Sequence, residues 1–138
     1  MTLSERQTIF SINFAKLVLW GNEQRGYKVR IDEVKRSESQ QIMYYQGLAL
    51  DASNGYGEPG EPRFQLVHCK DLVRTRTMFT KHWDRLAGDL ILDIDGKYQT
   101  ETEAYTALGE HWKSLHKDNV WGGDWTGFPD GGHFQMGG

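Results

Sequence analysis

The sequence predicts an α+β domain, with helices packed on a small, mainly antiparallel sheet. Two segments of helical period, residues 4–20 and 100–115, flank the alternating run LAGDLILDI at 86–94, and shorter β-type segments lie on either side of that run. The chain of 138 residues is long enough to bury one core, and no shift in composition marks a boundary. A single compact domain over 1–138 is therefore expected.

Taken in order, Ser4 followed by Gln7 reads as a capping box, and Ile9, Phe10, Ala15, Leu17 and Val18 continue at roughly helical spacing. Gly21, Asn22 and Gly26 end this first helix. Tyr27, Val29, Ile31 and Val34 then fit a short strand, with Lys28, Arg30 and Asp32 on its other face. Ser37 can cap a second helix through SESQQIMYYQGLAL, in which Ile42, Tyr45 and Ala49 share a face. The glycine- and proline-rich segment from Asp51 to Pro62 reads as an exposed loop, a candidate lid.

Phe64 to Val67 fits a short strand, and residues 71–80 carry no clear period. Leu86 to Ile94 sets Asp89, Ile91 and Asp93 against Leu90, Leu92 and Ile94, the pattern of a central strand with one apolar face. Asp95 and Gly96 make a turn. Thr100 or Thr102 starts a helix that sends Ala104, Leu108, Trp112 and Leu115 to the core, and His133 to Met136 is short enough to be a strand beside 86–94.

Sixteen basic against nineteen acidic residues give a net charge of −3, without the basic excess of a nucleic-acid binder. Cys69 is the only cysteine, so neither an internal disulfide nor a thiolate zinc cluster is available, and folding in a reducing cytoplasm is expected. The N-terminal segment has Glu5 and Arg6 ahead of its apolar residues and no small-residue cleavage site. It reads neither as a signal peptide nor as a membrane span.

Chemistry concentrates in WGGDWTGFPDGGHFQM at 121–136. Its glycines allow backbone angles closed to other residues, so the polar side chains between them can be aimed at one point. Asp124, Asp130 and His133 are the candidates there. A catalytic zinc needs about three His, Asp or Glu ligands and an open position. His82, seven residues before Asp89, supplies the rest if a turn at His82 feeds the strand that carries Asp89. His82, Asp89 and His133 then make an oxygen and nitrogen donor set suited to Zn2+. Asp130, three residues before His133, is placed to act as a general base, without the HExxH arrangement, which is absent. Arg36 offers a cationic fork for a substrate carboxylate or a developing oxyanion.

KHWDRLAGDL resembles the S-x-H-x-x-G-x-A-x-D motif of the VanY-like zinc D,D- and L,D-peptidases of bacterial cell walls. DWTGFPDGGHFQ resembles the second half of their site, in the form found in phage endolysins that are L-alanyl-D-glutamate endopeptidases, and KRSESQQIMYYQG is similar to their arginine-containing helix start. The three segments, in this order, cover most of residues 27–136. The resemblance implies a hedgehog/DD-peptidase-like fold with zinc at the sheet edge, His82, Asp89 and His133 as its ligands, Asp130 as catalytic base and Arg36 on the substrate. Two departures stand out: Arg85 occupies the motif's Gly position, with Lys81 beside its Ser position, and the base is Asp where several relatives use Glu. The Asp base and the FPDGGH turn favour the endopeptidase branch.

The implied activity is hydrolysis of an amide bond in the peptide stem of peptidoglycan by a monomeric lysin. Such an enzyme would be held in the host bacterial cytoplasm until a separate pore releases it to the periplasm and wall. A D-alanyl-D-alanine carboxypeptidase or dipeptidase is the alternative enzyme. A non-catalytic wall-binding domain with a structural metal is the alternative of another class, although a structural zinc normally takes four protein ligands.

Other residues read more plainly as structural. Asp124 fits a turn or cap, with substrate contact as its alternative. GLALD at 47–51 imitates part of the motif but has Tyr44 at the ligand position. His68, His111 and His116 lack partners at a useful spacing. Asp93 and Asp95 fit a solvated strand end. The five tryptophans fit a core, with Trp125 and Tyr56 kept as groove candidates because they lie in glycine-containing segments.

Overall fold

The computed structural model describes residues 1–35, 46, 48–51, 65–68 and 80–137. Contacts divide the chain into two compact units, Met1–Lys35 with Lys81–Gly138, and Arg36–Thr80.

The first unit opens with helix α1, Leu3–Glu23. Its cap is Thr2 rather than Ser4. The Thr2 hydroxyl accepts from Glu5 N at 3.2 Å, and the Glu5 carboxylate accepts from Thr2 N at 2.6 Å. The same Thr-x-x-Glu spacing two residues upstream wins because a charged carboxylate is a stronger acceptor than the amide of Gln7. Phe10, Asn13, Phe14, Leu17 and Gly21 form the buried face, with Ile9 and Val18 at its margins and Ala15 exposed. Gly21 does not end the helix. It lies inside the last turns, where a Cβ would come within 2.7 Å of Val29 and 2.9 Å of Leu108. Glycine there lets the helix approach the segments that carry Val29 and Leu108 closely.

Strands β1 (Tyr27–Glu33), β4 (Ala87–Ile94), β5 (Lys97–Tyr98), β6 (Asn119–Trp121) and β7 (His133–Met136) make one antiparallel sheet. The order is β1-β4-β7-β6, with β5 on β4 through the Asp95–Gly96 turn. The alternating run is thus the strand between β1 and β7, as its pattern predicts. A short 3-10 turn at Thr102–Tyr105 leads into helix α2, Thr106–Leu115. Leu108 and Trp112 from α2 meet Phe10, Phe14 and Leu17 from α1, Leu90, Leu92, Phe134 and Met136 from the sheet, and Leu86 just ahead of β4. Each of these side chains contributes roughly 1.5–3 kcal/mol by leaving water. The rings of Phe10, Phe14 and Phe134 meet Trp112 edge-on at 5.7–6.3 Å. The Trp112 indole N–H, meanwhile, reaches the carbonyls of Val120 and Gln135, both at 3.1 Å.

In the second unit, β2 (Leu48–Asp51) and β3 (Gln65–His68) pair antiparallel, from Leu48 opposite His68 to Asp51 opposite Gln65. The expected strand at 64–67 is therefore present, one residue later. The expected helix does not extend through Ala49, because the alternating Leu-Ala-Leu there has a strand partner. Apart from Gln46, which is helical, the rest of that helix lies outside the described residues, as do the 52–63 loop, Arg36, Tyr44, Tyr56 and Cys69.

Candidate metal centre

Three segments of the first unit bring the donors together. Asp89 on β4 and His133 on β7 are direct cross-strand partners, so their side chains leave the sheet on the same face. His82 comes from the turn that feeds β4, closed by Leu86 N donating to Lys81 O at 2.9 Å and Arg85 N to His82 O at 3.2 Å. Arg85 sits at φ 55° in that turn, the left-handed region. This accounts for the glycine that the resembling motif carries at the position.

His82 is 1% exposed, and its Nδ1 lies 3.0 Å from the Val34 carbonyl, which can only accept. Nδ1 therefore carries the hydrogen, and Nε2 turns to Asp89 Oδ2 at 3.3 Å. Asp89 Oδ1 meets His133 Nδ1 at 3.0 Å, so one carboxylate spans both rings. One donor atom from each of His82, Asp89 and His133 falls within 4.8 Å of the others, and among the described residues this trio could hold a metal ion. Two imidazole nitrogens and one carboxylate oxygen suit a borderline divalent cation.

The electrostatics of the metal-free cluster follow from this packing. Burial alone would raise the Asp89 carboxyl, but hydrogen bonds from His133 and His82 and their charges outweigh it and hold Asp89 well below the usual carboxylate range. Burial opposes a charged His133 ring, yet the Asp89 hydrogen bond and charge, with Gln135 and Asp130 adding, raise it above its ordinary value.

Asp130 stands at the start of the turn into β7. Its backbone N donates to Gly122 O at 2.9 Å, His133 N donates to Asp130 O at 3.3 Å, and the Trp121 indole N–H ties down Gly131 O at 2.8 Å. Gly122 is required by close approach, since a Cβ would strike the Asp130 carbonyl and stand 2.9 Å from His133 Cβ. Burial raises the Asp130 carboxyl above its ordinary value, against the positive pull of His133, and the negative charge of Asp89 adds to the rise. A groove of about 310 Å3 runs from Asp89 and Asp130 past Pro129, Tyr98, Thr100 and Tyr105. Its floor is pinned by Tyr105, whose hydroxyl accepts from Leu92 N at 3.1 Å and donates to Gln99 O at 3.2 Å.

Among the other candidates, Asp124 is bound to Lys113 at 2.7 Å and anchors the loop to α2. Trp125, 36% exposed, tilts against His133 with ring centres 4.9 Å apart and so borders the centre. His111 stacks on Trp20 at 4.1 Å, His116 Nδ1 accepts from Asp118 N, and Asp93 pairs with Arg30 at 2.8 Å, all away from the trio. Arg36 lies outside the described residues. Sequence reasoning missed two outer partners, the Val34 carbonyl and Gln135, whose Oε1 is 3.0 Å from His133 Nε2. Only the strand alternation after His133 could have signalled Gln135.

No protein-family model matches the sequence, and no curated protein matches it. The fold is similar to the crystal structure of Serratia marcescens L-Ala D-Glu endopeptidase ChiX, with a TM-score of 0.52 and 19% identity. The match covers 79% of this chain and 66% of that one. At that identity the likeness shows a shared fold.

Proposed function

We propose that the chain is a zinc-dependent peptidoglycan hydrolase that cuts an amide bond in the peptide stem, between L-alanine and D-glutamate, and serves as a lysin. The observation that carries this reading is the meeting of His82, Asp89 and His133 near the half-buried carboxyl of Asp130, with Asp89 and Asp130 both lining a groove. The fold shared with an L-Ala D-Glu endopeptidase and the order of the sequence motifs support it.

Zinc in the cluster would polarise the scissile carbonyl and lower the pKa of water toward roughly 7. His82 and His133, each held by an acceptor on the ring nitrogen turned away from Asp89, present their other nitrogens without rotamer search. Asp130, whose affinity for a proton burial increases, takes one from the attacking water on its carboxylate and returns it to the leaving amine. The groove that Asp130 and Asp89 line gives a substrate peptide a place beside that carboxylate. Arg36 is assigned to substrate contact on the sequence resemblance alone.

The test is digestion of purified Gram-negative-type peptidoglycan with zinc-loaded protein, with a chelated control and mass analysis of the fragments. Products cut between L-alanine and D-glutamate, absent with chelator, are expected. Loss of terminal D-alanine alone would reassign the enzyme as a carboxypeptidase, and no metal-dependent product would favour a wall-binding domain.

A further inference from the structure

We propose that Gln135 is a positioning residue that selects which nitrogen of His133 faces the metal; this rests on the metal-centre reading above. Strand β7 alternates, so His133 and Gln135 project on one face while Phe134 and Met136, both fully buried, enter the core. Gln135 Nε2 donates to the Gly137 carbonyl at 3.2 Å. A carbonyl only accepts, so the amide NH2 is committed to Gly137 and Oε1 is left toward His133.

That Oε1 lies 3.0 Å from His133 Nε2. An amide oxygen also only accepts, so Nε2 carries hydrogen, and when a metal displaces the hydrogen that Nδ1 gives to Asp89 the free lone pair is the one on Nδ1. Nδ1 is the nitrogen 3.0 Å from Asp89 Oδ1. His82 has the opposite assignment, because the Val34 carbonyl takes its Nδ1 hydrogen and Nε2 faces Asp89. The centre thus presents Nε2 from one histidine and Nδ1 from the other, and each choice is made by an acceptor outside the trio. The backbone of Gln135 is itself held, since its carbonyl accepts from Trp112 Nε1.

The experiment compares the full-length protein with Gln135→Leu and Gln135→Glu. Zinc affinity is read by chelator competition, and the His133 ring is read by nitrogen NMR of the zinc-loaded protein. Leucine removes the acceptor and should weaken zinc binding about 10–100-fold, the range for outer partners of metal ligands. Glutamate keeps an acceptor for His133 but cannot donate to Gly137, so affinity at or above the parent level separates the acceptor role from a merely structural one. The parent ring should show hydrogen on Nε2 and zinc on Nδ1.

Zinc on Nε2, parent-like affinity in Gln135→Leu, or equal losses in both variants would overturn the proposal. If Gln135→Leu does not fold, the parent spectrum decides: hydrogen on Nε2 with zinc on Nδ1 upholds the proposal, and zinc on Nε2 overturns it. A parent protein that takes up no zinc would overturn the metal-centre reading and this inference with it, whereas normal parent uptake with an indifferent Gln135→Leu overturns this inference alone.

Discussion

Asp89 and His133 face each other across β4 and β7, and their side chains meet at 3.0 Å, carboxylate Oδ1 to imidazole Nδ1. Asp89 Oδ2 is turned to His82 at 3.3 Å, so Asp89 is the hub of the cluster. Asp89→Asn keeps the shape and removes the charge. We expect zinc affinity to fall more than about 100-fold, beyond the range for an outer partner, in a chelator-competition titration; retention of parent affinity would remove Asp89 from the ligand set.

Asp130→Asn should separate binding from turnover. Its carboxyl is raised by burial and borders the trio without belonging to it. Zinc content should stay at the parent level while turnover on peptidoglycan falls about 10^2–10^4-fold, the range for a lost general base. Equal loss of metal and activity would instead make Asp130 a ligand.

Proton competition gives a signed pH dependence. His133 is raised above 6.5, so in metal-free protein its stabilisation is complete below pH 6.5 and is lost as pH rises through the folded value. Asp89 is lowered from 3.8, so its stabilisation is complete above that value and is lost as pH falls through the folded one. Metal-free stability from this pair should therefore peak between pH 3.8 and 6.5. Zinc needs a deprotonated His133, so its stabilisation should grow as pH rises past that window. Thermal melts with and without zinc from acid to alkaline pH check both slopes; a zinc shift largest in acid would contradict them.

Tyr105→Phe removes the hydroxyl that joins Leu92 N to Gln99 O beneath the groove. The Leu92 N–H is left buried without its acceptor, at a cost of about 1–3 kcal/mol. The urea midpoint should drop with an unchanged slope. An unchanged midpoint would show that another acceptor takes over.

Arg85→Gly tests the strained turn beside His82. A non-glycine residue in the left-handed region costs about 1–2 kcal/mol, and the added freedom of glycine in the unfolded chain takes back roughly 0.5–1. Stability should be unchanged or higher by up to about 1.5 kcal/mol, with zinc affinity unchanged. Loss of zinc binding would mean that the Arg85 side chain supports the site.

Much of this protein is legible locally. The alternation of Leu86 to Ile94, the helical period before Gly26 and after Thr102, and the short apolar tail at His133 each state their element within a few residues, because one face must be buried. Cap choice was less legible, since Thr2 and Ser4 offer overlapping patterns that only side-chain geometry resolves. Leu48 to Leu50 reads as the end of a helix because its strand partner lies sixteen or more residues away in sequence. A pairing of that kind leaves no local period.

By itself the sequence determined the donor types, their order along the chain and the glycine turn that delivers Asp130 and His133. Only the tertiary structure decided which atoms meet. The β4–β7 register put Asp89 opposite His133, the carbonyl of Val34 assigned the nitrogen of His82, and Lys113 drew Asp124 away to α2. The reason is physical. Hydrogen-bond partners depend on register and burial between strands far apart in sequence, whereas periodicity reports only which way a side chain leaves its own backbone.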